Sequence, residues 1–216
     1  MLDAHAIVLS PLETLALNLS LLAIVAWSMW KAERSLDSGS DLTVLALMAL
    51  FAVTGRVLLE PLPNVQPVTV IVLLVGIHYG ATKSIGVATL VAIVSNLVLG
   101  HGLWTFYQAL GWALVGVTGA LLSQSLRIGE KISVPRVATL SFIAAFVFDW
   151  VVSISVLHSI SLESLPVYIM VGLPFDLAHG VGNMAFAAWL SEPLSEIMSR
   201  HSPKREVVVA PVKSST

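Results

Sequence analysis

Three sets of side chains in this chain have the types and spacing to do chemistry. Trp104, Gln108 and Trp112 stand at i, i+4 and i+8, so a helix there carries an amide between two indoles on one face. Such a face stacks a flat ligand and bonds its edge; it serves equally as a membrane anchor at Trp104 with Trp112 packed against lipid. Asp176, His179 and Asn183 stand at i, i+3 and i+7, where a buried acid needs a partner and His179 is the nearest within the helix. Arg56 has Glu60 at i+4, which makes either a local ion pair or an arginine free to offer its fork to a carboxylate, amide or phosphate edge. Asp149-Trp150 adds an acceptor beside an aromatic wall.

The elements that position these groups are apolar. Hydrophobic residues make up 56% of the 216 and charged residues 11%, and the mean hydropathy is +0.90, a balance that excludes an ordinary soluble domain. Seven runs, at 12–30, 42–59, 65–80, 84–100, 103–122, 136–157 and 166–190, each approach the ~20 residues that cross a hydrocarbon core. Peptide groups in lipid have no water to bond, so the runs are expected to be helices. Ten of the eleven Lys and Arg residues fall in alternate gaps: Lys31 and Arg34, then Lys83, then Arg127, Lys131 and Arg136, then Arg200, Lys204, Arg205 and Lys213. That asymmetry places those gaps in the cytoplasm, the N-terminus outside and the C-terminus inside, in a multi-pass protein of the cell membrane. Arg56 alone breaks the pattern. The first run has Asp3 and Glu13 ahead of it and no small-x-small site behind it, so it reads as a retained helix.

Several chemistries lack their residues. Gly80-Ala81-Thr82-Lys83-Ser84 has no glycine before the lysine, so the chain is not expected to hydrolyse ATP itself. There is no paired-histidine zinc helix and no cysteine, so no metal site or disulfide is expected. Basic residues flank the runs without forming an aromatic-studded stripe, which argues against nucleic acid as a partner. Serines in the spans are expected to bond their own helices. Neither an enzyme nor a resident cofactor is expected.

What remains is a set of polar residues at one level of the spans. Polar atoms at that depth line water or a ligand, or they bond between helices as glue worth about 0.6 kcal/mol each. The candidate substrate-binding residues are Arg56, Asn64, Gln66, Asn96, Trp104, Gln108, Asp149 and Asn183. Gly76-x-x-x-Gly80, Ala88-x-x-x-Ala92 and Ala109-x-x-x-Ala113 mark faces where helices can approach closely. Ala46, Ala49 and Ala52 give a smooth strip for a neighbouring protein.

From residue 42 to 190 the chain resembles the substrate-binding S components of energy-coupling-factor (ECF) vitamin transporters. The resemblance rests on a six-helix apolar unit with a cytoplasmic C-terminus, on Asn64-Val65-Gln66-Pro67, on the Gly76 to Gly86 turn, on Gly102-Leu103-Trp104-Thr105-Phe106-Tyr107-Gln108 and on His179-Gly180-Val181-Gly182-Asn183. It implies an all-α membrane protein with an S-component-like six-helix bundle (42–190). The run at 12–30 departs from the family as an additional N-terminal transmembrane helix, with a cytoplasmic linker (1–41). The chain's end, with Pro203, Pro211 and only a short Val207-Val208-Val209 run, reads as a disordered cytoplasmic tail (191–216). Members bind a vitamin-type small molecule from outside and dock on a transmembrane coupling protein driven by two cytoplasmic ATPases. The Trp-rich fifth run is most similar to the cobalamin-type branch. The alanines at 46, 49 and 52 depart from the family's Ala-x-x-x-Ala docking spacing. The rival readings are a proton-coupled carrier using Asp149, Asp176 and His179, against which the lack of a visible inverted repeat counts, and a noncatalytic scaffold.

Overall fold

A computed structural model describes residues 10–13, 15, 16, 19, 20, 23, 27 and 39–201. Most of the expected N-terminal helix at 12–30, the linker after it and the tail from residue 202 lie outside the described residues; those described between Pro11 and Trp27 are helical, with Leu12, Leu15, Leu19 and Trp27 exposed. The remainder forms six α-helices: α1 (Gly39–Leu58), α2 (Val68–Tyr79), α3 (Ala81–Leu99), α4 (Leu103–Leu121), α5 (Val134–Ser153) and α6 (Leu165–His201). A two-stranded hairpin, β1 (Arg127–Ile128) paired with β2 (Lys131–Ile132), joins α4 to α5. Helices from α1, α3, α5 and α6 supply four segments long and apolar enough to cross a membrane. This is an all-α, membrane-embedded protein apart from that hairpin.

Helix α2 is the centre of the bundle. All of its residues from Val68 to Tyr79 are buried, and at about 1.5 Å per residue its 12 residues reach only about 18 Å, well short of a ~30 Å hydrocarbon core. The expected span at 65–80 is therefore corrected to a short helix preceded by irregular chain. Asn64 and Gln66, expected to begin the helix, precede it: Pro67 disfavours helical backbone at Gln66, and Asn64 takes a left-handed conformation at φ 60°. Irregular backbone at such depth persists where protein covers it. Here Val65 closes against Gly182 of α6 and Pro67 against Gly55 of α1, each at a spot where a Cβ would collide.

Small residues set the closest contact. Gly76 of α2 faces the Gly116 carbonyl of α4, and a side chain at Gly116 would strike Ser84, whose Oγ donates to the Val72 carbonyl at 3.0 Å. A Cβ at Gly80, by contrast, would meet nothing within 4 Å; the residue's φ of 85° turns α2 directly into α3. Gly116→Val should therefore expand the centre of the bundle, with an overpacking penalty of about 1–3 kcal/mol or more. Fluorescence-detected size exclusion in detergent should show a smaller monodisperse peak and an earlier thermal transition, and an unchanged profile would contradict this packing.

One end of the bundle collects the basic residues. Lys83 is buried and pairs with Asp41 at 3.5 Å. Arg127 donates to His78 Nδ1 at 3.2 Å, and His78 Nε2 meets Ser195 Oγ at 2.8 Å. Arg136 ties the hairpin through the Ser125 and Arg127 carbonyls at 2.8 and 3.1 Å. The expected domain boundary at 190 is corrected, because residues 191–201 continue α6 and bury Ser191, Leu194, Ser195 and Met198.

Candidate functional site

At the opposite end, where α1, α3 and α5 finish and α2 and α4 begin, lies a cavity of about 270 Å³. It is lined by Arg56, Glu60, Pro63, Asn64, Gln66, Val68, Thr69, Asn96, Leu99, Trp104, Gln108, Trp112, Phe148 and His179. The short α2 makes the space: its first turn, Val68 and Thr69, forms part of the cavity wall rather than reaching past it.

Arg56 organises the site. Its side chain comes from the last turn of α1 and is only 6% exposed. Nε donates to Gln66 Oε1 at 3.2 Å, while Nη1 donates to Asn96 Oδ1 at 2.8 Å and to Ser95 Oγ. Among the described residues no carboxylate forms an ion pair with it, so of the two readings of Arg56 the local pair with Glu60 is the one not formed. Asn96 passes the network on, since its Nδ2 donates to Thr105 Oγ1 and to Gln108 Oε1, each at 2.7 Å. Thr105 Oγ1 stands 3.2 Å from Nδ1 of His101, in the turn between α3 and α4, where burial holds the imidazole below its ordinary pKa.

Aromatic rings form the rest of the wall. Trp112 stacks on Phe148 with centroids 4.6 Å apart, and the Arg56 guanidinium carbon lies 5.0 Å from the Trp112 centroid, a cation–π contact in a desolvated setting. The Trp112 indole donates to Thr69 Oγ1 at 3.3 Å, which stands 3.2 Å from His179 Nε2. The other ring nitrogen, Nδ1, meets Asp149 Oδ2 at 2.9 Å, and Asn64 donates to Asp149 Oδ1 at 3.4 Å.

The structure thus brings Arg56, Asn64, Gln66, Asn96, Trp104 and Gln108 to one cavity. Asp149 stands behind the wall, holding His179 and Asn64. Asn183 does not reach the cavity: it is fully buried, and its Nδ2 donates to the Ser141 carbonyl at 3.2 Å between α6 and α5. The expected Asp176–His179 partnership is replaced, because Asp176 Oδ2 accepts from the Trp150 indole at 3.1 Å. Trp112 is 2% exposed and belongs to the wall, not the lipid face. The alanine strip is also corrected. Ala46 is exposed while Ala49 and Ala52 are buried, because a step of three residues drifts around the helix instead of following one face. Among the lining residues, Glu60, Pro63, Val68, Thr69, Leu99, Trp112, Phe148 and His179 were outside the expected binding set. Of these, Glu60, Trp112 and His179 carried a signal in the sequence, through their spacing from Arg56, Trp104 and Asp176.

An all-α membrane-embedded bundle with a polar, tryptophan-walled cavity of small-molecule size defines the class. Within it, the chain belongs to the DUF6580 family, described as a family of unknown function, whose profile matches residues 37–203. Neither a curated protein nor a solved structure matches the chain.

Proposed function

We propose that this protein is the substrate-capturing membrane subunit of an ECF-type importer, binding a small micronutrient in the Arg56 cavity without altering it. The observation that carries this reading is a 94%-buried arginine with no acid partner among the described residues, set beside a cavity. A buried cation is retained at considerable desolvation cost, and a ligand that completes its bonding is a reason to retain it. The basic residues Lys83, Arg127, Lys131 and Arg136 lie at the other end of the bundle, so positive-inside orientation turns the cavity outward. In this reading energy is supplied by a coupling membrane protein and two ATPases, with which the absent phosphate loop is consistent. At about 270 Å³ the cavity sits at the small end of ligand pockets, so a compact vitamin-type molecule fits this reading and a corrinoid such as cobalamin is too large for it.

The Asp149–His179 pair beside the cavity favours a second reading, a proton-coupled carrier. Uptake by proteoliposomes separates the two. The importer reading expects no ATPase activity from the protein alone and accumulation of substrate only with the coupling module and ATP. Accumulation by the protein alone under an imposed pH gradient, abolished by Asp149→Asn, would establish the carrier instead.

A further inference from the structure

The hydrogen-bond directions around Arg56 constrain the ligand's charge. A guanidinium only donates, so the Gln66 and Asn96 side chains must turn their oxygens toward it. Asn96 therefore points its Nδ2 at Gln108, which forces Gln108 to answer with its oxygen as well. The amide orientations follow from Arg56 and are not free choices. Within this network the side-chain oxygens of Gln66, Asn96 and Gln108 each accept a bond. Arg56 Nη2, Gln66 Nε2 and Gln108 Nε2 are left as donors without a partner among the described residues, and all three residues line the cavity. The first turn of α2 adds its positive dipole end to the same wall.

The geometry points to a small carboxylate as the ligand, its two oxygens taken by the donor wall of Arg56, Gln66 and Gln108. The claim rests on the cavity being the ligand site proposed above, and it adds the charge and the recognised group. A carboxylate supplies what is missing: a negative charge for a cation without an acid partner, and planar acceptor oxygens for a forked donor. A neutral amide of the same shape brings its own NH2 group against N–H donors and leaves the charge unanswered. Glu60, at the exposed rim, is the acidic residue that lines the cavity, and it disfavours a second negative group near the mouth. His179 is already engaged by Asp149.

Matched acid and amide probes test this: propanoate against propanamide, benzoate against benzamide and nicotinate against nicotinamide, each titrated into the purified full chain while following thermal stability and tryptophan fluorescence. At least one acid should bind, roughly tenfold or more tighter than its amide. Gln66→Glu is the decisive variant, because its Oε1 still accepts from Arg56 Nε while the new carboxylate provides the counter-charge internally. It should melt no earlier than the wild type and should lose acid binding. Gln108→Glu, which still accepts from Asn96, should lose it too. Amides binding as tightly as acids, no acid binding at all, or undiminished acid binding by Gln66→Glu each overturns the proposal. Acid binding without module-dependent uptake would sink the importer reading alone, and amide-preferring binding would sink the carboxylate claim alone.

Discussion

Arg56→Met should lower affinity for the cavity's ligand roughly ten- to hundredfold while leaving the empty protein at least as heat-resistant as the wild type. The two effects have opposite origins. A hydrogen bond from a charged donor contributes about 1.5–3 kcal/mol to binding, and Arg56 is the charged donor on the wall. In the empty protein the same cation carries a desolvation penalty that no ion pair among the described residues offsets. Replacing it with methionine removes that penalty, keeps much of the contact with Trp112, leaves Gln66 and Asn96 on the cavity wall, and leaves Ser95 with its bond to the Val91 carbonyl. Melting followed by intrinsic fluorescence, with and without ligand, reads both effects. A variant that unfolds on purification would show that Arg56 is structural glue.

Asp149→Leu should do the reverse and destabilise the protein even when empty. It leaves the buried His179 ring and the half-buried Asn64 amide without their acceptor; an orphaned buried donor costs about 1–3 kcal/mol, and the Asn64 amide, on the cavity wall, adds less. For a protein of this size that corresponds to a fall of roughly 5–15 °C in melting temperature. Asp149→Asn keeps an acceptor oxygen and should lose less than half as much. Equal melting of the two variants would mean that the Asp149–His179 contact does not hold the wall in place.

The helical runs were legible because lipid permits few alternatives and because the basic residues mark the gaps. The length of α2 was not, since a helix buried on every side shows no periodicity and reads like a lipid-exposed run. Residues 191–201 read with the tail because the last apolar run ends near 190, yet α6 continues through them. Tyr79 donates to the Met198 carbonyl at 3.4 Å and His78 meets Ser195, tertiary contacts that local composition does not announce.

At the site, Arg56 stood out as the basic residue that broke the charge pattern, and the Trp104/Gln108/Trp112 face stood out by its spacing. The partners of Arg56 did not. Ser95 and Asn96 are 39 and 40 residues away in sequence, and nothing local links them to it. Ser95 does bond its own helix, through the Val91 carbonyl at 2.6 Å, as a transmembrane serine is expected to; its second role as an acceptor for Arg56 comes only from the packing of α1 on α3. Asn183 shared a helical face with His179, but a 37-residue helix carries that face past the end of the cavity and into its contact with α5. Thr69 and Phe148 are ordinary residues for membrane helices; Thr69 reaches the cavity because α2 starts there, and Phe148 because α5 stacks it on Trp112.

The central claim, that the Arg56 cavity holds a small molecule, is tested most directly by native mass spectrometry of the wild type and Arg56→Met released from detergent side by side. The wild type should carry one small acidic molecule at near-unit stoichiometry, and the variant should be empty. A wild type that stays empty after expression in rich medium and incubation with a vitamin panel, or the same bound mass in both proteins, would contradict the account.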